Sequence, residues 1–216
     1  MSEAAAAAGW RVGLTAGRDG WAVIAAPDVL VDASHRSAIP SVVEYCEGHR
    51  LPLVSTSSGL THEDDRRLEV LAETVAVVRA SNLALGHFLQ RELIERLAVL
   101  LDGRGKAELT VAERHQTTKP DRPSATALAL AALWQEASGT LPASVDSVRG
   151  GLRVSDHTVT LALEDEELAI THSVGSIAVP ARRAVEAAAW VRTVPAGLYA
   201  MADVYQAADP ALSKCK

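Results

Sequence analysis

Between residues 10 and 80, short apolar runs of the kind that fill strands alternate with segments of helical periodicity. WRVGLT (10–15), WAVIAA (21–26), VLVDAS (29–34), PLVSTS (52–57) and VAVVRA (75–80) read as strands, and helices are expected from about 37 to 49 and from 61 onward. VLV and VAVV are apolar without alternation, as in strands covered on both faces, and the strand–helix rhythm predicts a parallel α/β sheet. Thr61 followed three positions later by Asp64, with Glu63 and Asp65 alongside, marks a helix start with acids well placed in its first turn. Residues 1–9 are expected to form a loose tail.

After SNLALG (81–86) the rhythm changes. Leu89, Leu93, Leu97, Leu100 and Leu101 fall near helical spacing and predict an amphipathic helix over 88–101, ended by Gly103. KAELTVAERH (106–115) reads as a strand that delivers His115 at its far end. A loop with Pro120 and Pro123 leads into a helix from 124 to about 137, closed by Gly139. HTVTLAL (157–163) and LAITHSV (168–174) alternate by twos around the acidic turn EDEE (164–167), a hairpin pattern. Pro180 opens a helix through ARRAVEAAAWV (181–191), and GLYAMADVYQ (197–206) follows. The chain thus reads as an α/β half and then an α+β half dominated by antiparallel strands.

Composition narrows the class. With 216 residues, 48% hydrophobic and 22% charged, the chain has material for one large or two small cores. A net charge of −6 without a basic block gives no footprint for nucleic acid or an anionic membrane surface, so small solutes or other proteins are the expected partners. Two cysteines, Cys46 and Cys215, suggest neither a disulfide framework nor a zinc site, no other metal site is expected, and a cytoplasmic location fits. No stretch approaches 18 uncharged apolar residues, and AAAAAG near the start lacks the basic flank of a signal peptide.

The richest chemistry lies in ERHQTTKPDRPSATA (113–127). A histidine and a lysine four residues apart can offer a proton donor and an electrostatic anchor to one cavity. Ser124 and Thr126 stand where a helix begins, and free N–H groups there would receive a carboxylate or phosphate. The bland alternative is a Ser N-cap beside a solvated His and Lys. The other histidines read as structural or surface residues: His157 and His172 in the hairpin strands, and His35, His49, His62 and His87 at element ends facing solvent. Trp10, Trp21, Trp134 and Trp190 read as core or interface residues.

This stretch resembles the signature of the dihydrodipicolinate reductase family, enzymes of lysine and diaminopimelate synthesis, E-x-H-H-x-x-K-x-D-x-P-S-G-T-A. It matches at Glu113, His115, Lys119, Asp121, Pro123, Ser124, Thr126 and Ala127. VLVDAS, TSSG for G-T-T-G, SNLALG for A-N-F-S-x-G, ITH and GLYAMADV keep the family's order, so the resemblance covers roughly residues 28–207. It implies a reduced Rossmann-like domain over 1–85 completed by 178–216, and a mixed-sheet domain over 86–177 that binds substrate and assembles an oligomer, a tetramer or a dimer. It also implies hydride transfer from NAD(P)H to a cyclic imine dicarboxylate. His115 would be the proton donor and Lys119 its assistant, with Gln116, Ser124, Ala125 and Thr126 around a substrate carboxylate. Thr56, Ser57, Ser58, Gly59 and Asn82 would lie near the nicotinamide.

The sequence departs from the family at informative places. The family opens on a strand and G-x-x-G-x-M-G, whose glycines admit a pyrophosphate at a helix N-terminus; here VGLTAGRDG (12–20) runs into the strand-like WAVIAA instead. About one strand, its helix and the next strand are expected to be missing. Gln116 replaces a second histidine and cannot carry a proton at neutral pH. Ala125 replaces a glycine, and Ile177 stands where the family's carboxylate-binding arginine falls, with Arg182 or Arg183 as possible substitutes. Three functions compete: a cofactor-independent enzyme (dehydration, cyclisation or isomerisation) acting on a small amino-acid-derived acid of cyclic imine type, an NAD(P)H-dependent reductase of a C=N or conjugated C=C bond, and a non-catalytic oligomer subunit. The first is favoured.

Overall fold

The computed structural model describes residues 1–17, 20–103, 106–151 and 154–209; Cys215 and positions 18 and 19 of VGLTAGRDG lie outside them. In chain order the elements are α1 (Ser2–Ala7), β1 (Leu14–Gly17), β2 (Gly20–Val23), β3 (Leu30–Asp32), α2 (Ile39–His49), β4 (Leu53–Ser55), α3 (His62–Ala72), β5 (Ala76–Arg79), α4 (Leu85–Leu101), β6 (Glu108–His115), α5 (Ala125–Ser138), β7 (Ser144–Arg149), β8 (Ser155–Leu163), β9 (Glu166–Val174), α6 (Ala178–Val191), β10 (Gly197–Tyr199) and α7 (Met201–Ala208). They divide into two compact units, Met1–Leu83 with Ala178–Lys216, and Ala84–Ile177.

The first unit carries a four-stranded parallel sheet in the order β10-β5-β4-β3. Leu30, Leu53 and Val77 pack with Val42 and Cys46 of α2 and Leu68 and Leu71 of α3. Alternate strand positions face opposite ways, and α6 packs against β3, β4 and β5. Thr61 caps α3 in the expected place: its hydroxyl accepts the Asp64 N–H, and the Asp64 carboxylate accepts the Thr61 N–H. Here β1, from Leu14 to Gly17, pairs antiparallel with β2, from Gly20 to Val23, and Trp21 stacks on Tyr45 of α2 at 4.6 Å. The segment before β3 is therefore a hairpin and not a strand, glycine turn and helix. The expected loose tail is corrected in part: residues 2–7 form α1, which buries no residue but lies against α6.

The second unit is a mixed sheet, β7-β6-β8-β9, with β6 parallel to β7 and antiparallel to β8. SVDSVR, which gave no sequence signal, is β7; its mixed polarity matches a strand with no fully buried position, Asp146 and Val148 being exposed. β8 and β9 form the expected hairpin, but only Glu164 and Asp165 turn, since Glu166 already pairs with Leu163. Leu109, Val111, Val159 and Leu161 pack under Ile94 and Ala98 of α4 and Leu130, Leu133 and Trp134 of α5. Gly139, at φ 72, closes α5 in the left-handed region that glycine enters without strain.

The expected apolar face of α4 is corrected. Phe88, Gln90, Ile94 and Ala98 are buried, while Leu89, Leu93 and Leu100 face outward. Two features turn the helix. A Cβ on Gly86 would stand 2.4 Å from the His172 ring, and the Gln90 amide donates to the backbone oxygens of His157 and Ile170, 3.1 and 2.9 Å away. Among the described residues no helix is long and apolar enough to cross a membrane. Leu130 is fully buried where α5 meets the sheet. Leu130→Ala is expected to cost about 2–5 kcal/mol in urea unfolding through lost contacts and a residual cavity.

Candidate active site

The register of the second sheet builds one cluster. Residues 109, 111, 113 and 115 of β6 share the face buried by the helices. Glu113 lies opposite Ser147 of β7 and His157 of β8, and His115 lies opposite Arg149 of β7. Cross-strand neighbours share a face, so these side chains converge where α5 begins. Glu113 is 3% exposed, His115 7% and His157 2%.

Glu113 Oε1 accepts three hydrogen bonds, from Ser124 N–H at 2.9 Å, Ser147 Oγ at 2.8 Å and Arg149 Nη2 at 3.0 Å. Its other oxygen, Oε2, lies 3.3 Å from His115 Nδ1 and 3.5 Å from His157 Nε2. The two imidazoles meet edge to face at 5.0 Å. Burial drives the Glu113 carboxyl upward, but the donors from Ser124, Ser147 and Arg149 outweigh it and hold the group at about 2. His115 is lowered chiefly by burial, with the Lys119 and Arg149 cations in the same sense and Glu113 opposing. His157 falls to about 4 for similar reasons. All three groups are thus set for an anion beside two neutral imidazoles at pH 7.

Arg149 also grips the loop after β6, donating to the backbone oxygens of Lys119 and Asp121. Lys119 Nζ pairs with Asp121 Oδ1 at 2.8 Å, and the Asp121 carboxylate also takes the Ala125 N–H at the start of α5. Gln116 and Ala125 are exposed and Thr126 half-buried at the rim of this corner. Ser124 is placed differently from expectation. It is 1% exposed, its N–H goes to Glu113, and its hydroxyl accepts the Ala127 N–H as the N-cap of α5 and lies within hydrogen-bond reach of His157 Nε2, at 3.4 Å. A ligand at Ser124 would have to open those bonds.

Glu113, Arg149 and His157 were not singled out from sequence as members of this site. Only the pairing of β6 with β7 and β8 unites them, although Glu113 stood in the matched signature. His157 is structural by burial, as expected, yet touches the cluster. His87 is corrected from solvent-facing to buried, 5% exposed, and burial with the nearby Arg91, His157 and His172 lowers it to about 3. Among the described residues, Glu113, His115 and His157 also offer one ligand-type atom each within 4.8 Å of one another, so they are the group that could hold a metal ion. The Arg149 guanidinium on the same carboxylate opposes a second cation there.

The other predicted residues lie in the first unit, in the loops that follow β4 and β5. The buried Asp32 carboxylate accepts from Ser34 N–H and from the hydroxyls of Ser34, Ser55 and Ser57. Thr56 donates to the Asp32 backbone oxygen. Ser57 is thereby used within the protein, while Ser58 and Gly59 are exposed and Asn82 half-buried. Ile177 is 77% exposed, and Arg183 pairs with Glu186 at 2.6 Å and lies over the Tyr205 ring.

A parallel α/β unit joined to a mixed sheet that gathers a carboxylate and two imidazoles at a helix start defines a two-part α/β protein. Comparisons sharpen this. The family model described as Dihydrodipicolinate reductase, N-terminus, matches residues 2–83, and that described as Dihydrodipicolinate reductase, C-terminus, matches 86–205. The 4-hydroxy-tetrahydrodipicolinate reductase of Alkaliphilus metalliredigens is 30% identical over 194 residues, 82% of this chain and 80% of that one. The enzyme of that name from Anaeromyxobacter is 34% identical over 201 residues, 84% and 74% of the two chains. A dipicolinate-bound dihydrodipicolinate reductase from Paenisporosarcina superposes with a TM-score of 0.61 at 19% identity, over 81% of this chain and 72% of that one, a likeness of fold. The chain belongs to the dihydrodipicolinate reductase family.

The buried histidines set an acid limit on stability. Unfolded, His87 and His157 take protons near pH 6.5; folded, they resist until about 3 and about 4. Their contribution is therefore complete above about pH 6.5 and is lost as pH falls toward those values, at about 1.4 kcal/mol per pH unit per histidine. Urea midpoints are expected to drop between pH 7.5 and 5.5, and His87→Leu to flatten that drop. An identical slope in the variant would remove His87 from the explanation.

Proposed function

We propose that the protein is a dihydrodipicolinate-reductase-like enzyme with altered chemistry, acting on a small amino-acid-derived acid of cyclic imine type. His115 and Lys119 transfer protons in a dehydration, cyclisation or isomerisation that needs no classically bound dinucleotide. The observation that carries this reading is the convergence of His115, Lys119 and the start of α5, all in one unit. Burial and the neighbouring cations keep His115 neutral in the free protein. A ligand carboxylate beside Lys119 would offset those cations and raise the proton affinity of the imidazole, so that binding an acid prepares the donor. Asp121 supports an anion subsite here, because its own carboxylate already takes Lys119 and the Ala125 N–H. A substrate carboxylate exchanging with Asp121 would meet Lys119, Ala125 and Thr126, with Gln116 at the rim.

Dinucleotide binding is where the fold and the family pull apart. The hairpin β1–β2 directly before β3 offers no helix N-terminus for a pyrophosphate, so the described residues do not fit the whole cofactor. Family membership, including the match over 2–83, supports NAD(P)H and gives no support to a cofactor-free site. NAD(P)H-dependent reduction of a C=N or conjugated C=C bond is therefore the second reading, with Thr56–Gly59 and Asn82 as the nicotinamide-side loops. The outward leucines of α4 support a homo-oligomer, a dimer or tetramer.

NADPH fluorescence titration separates the two. Absence of binding at millimolar NADPH is the expected outcome; micromolar binding would install the reductase reading. With dipicolinate as an anionic probe, Lys119→Ala is expected to weaken binding about 10-fold or more. On candidate amino-acid-derived imines, His115→Ala is expected to lower turnover by roughly 10²–10⁴. Unchanged turnover in both variants would overturn the catalytic assignment and favour a non-catalytic subunit.

A further inference from the structure

We infer that Glu113 is the positioning residue of this site: its Oε2 accepts the Nδ1–H of His115 and the Nε2–H of His157, fixing opposite tautomers in adjacent imidazoles and leaving His115 Nε2 to exchange the proton with a ligand. The inference rests on the proton-transfer role given to His115 above.

The carboxylate cannot turn freely, because Oε1 is engaged by Ser124 N–H, Ser147 Oγ and Arg149 Nη2. Oε2 is left facing two imidazole nitrogens at 3.3 and 3.5 Å, in a pocket where Oε2 and His115 Nδ1 are fully buried and neither has a hydrogen-bond partner of ordinary geometry, while His157 Nε2 also lies 3.4 Å from Ser124 Oγ, an oxygen that can share its hydrogen. A buried anionic oxygen opposite an imidazole nitrogen is stabilised only if that nitrogen carries the hydrogen; two lone pairs would repel. Both separations exceed a tight hydrogen bond, as is common in ligand-free sites that close on binding. The titratable and charged groups facing the pair are Lys119 and Asp121 from the loop, Arg149 from β7, and, beside His157, His172 from β9 and His87 from α4. The same three residues could be read as a cation site, but Lys119 and Arg149 oppose that, whereas they leave the hydrogen-bonded arrangement intact.

Substitution by glutamine has a specific consequence. The three donors at Oε1 demand the amide oxygen there, which turns the NH₂ group toward the histidines. His115 Nδ1 and His157 Nε2 must then accept, and each ring moves its hydrogen to the other nitrogen. Imidazole ¹⁵N NMR of the whole chain reads this without any substrate, with signals assigned through His115→Asn and His157→Asn. In the natural protein at pH 8, His115 is expected as the Nδ1–H form and His157 as the Nε2–H form. In Glu113→Gln both are expected to invert, and both rings to ionise at lower pH because the neighbouring anion is gone. An Nε2–H His115 in the natural protein would overturn the inference without any need for the variant to fold. So would unchanged tautomers in folded Glu113→Gln, or stoichiometric zinc in the purified chain. Failure of the catalytic reading would appear separately, as unaltered turnover in His115→Ala with the tautomers still as stated.

Discussion

One ionised carboxylate organises the second unit. Glu113 lies inside the protein, where an unmet charge costs several kcal/mol. Its donors come from the backbone at the start of α5, from Ser147 and Arg149 of β7, and its second oxygen faces the imidazoles of β6 and β8. The register of three strands, the position of one helix and the course of the loop between them are therefore coupled. Shifting any strand by one residue would flip its contribution to the opposite face of the sheet. The geometry proposed for proton transfer and the stability of the unit rest here on the same atoms.

The first unit repeats the device on a smaller scale. Asp32 ends β3, and four donors from Ser34, Ser55 and Ser57 close the loop after β4 around it. In both units a serine that looks available for a ligand in the sequence is consumed in holding a carboxylate. Ser57 and Ser124 shape their loops from beneath, and Ser58, Gly59 and Ala125 beside them are the exposed positions, with Thr126 half-buried. The family's phosphate-binding opening has a hairpin in its place, held against α2 by the Trp21–Tyr45 stack, while the corner around Glu113 keeps His115, Lys119, Ser124 and Thr126 of the signature and departs from it at Gln116 and Ala125.

Most of the element order was legible because its signals are local. Continuous apolar runs marked β3 and β5, Thr61 and Asp64 marked the start of α3, and alternation around EDEE marked the β8–β9 hairpin. The parallel and mixed sheets of the two units agree with the reduced Rossmann-like and mixed-sheet plan. Three features escaped because their causes are not local. β7 pairs in parallel with β6 across a helix and carries no apolar alternation of its own. α4 turns its leucines outward because Gly86 and Gln90 must approach the hairpin strands. The partners of His115 come from strands 34 and 42 residues away, and a histidine looks the same in sequence whether it faces solvent, as His35 does, or is sealed like His87 and His157. The matched signature drew the eye to His115 and Lys119, but only the sheet register makes Glu113 their hub.

Arg149 holds the loop after β6 by the carbonyl oxygens of Lys119 and Asp121. A grip on main-chain atoms is indifferent to the side chains it passes. Thr117 and Thr118, both exposed, can accordingly be exchanged without altering the path of the loop, so the face this corner shows to solvent can change its chemistry on a ribbon whose fastening never reads those side chains.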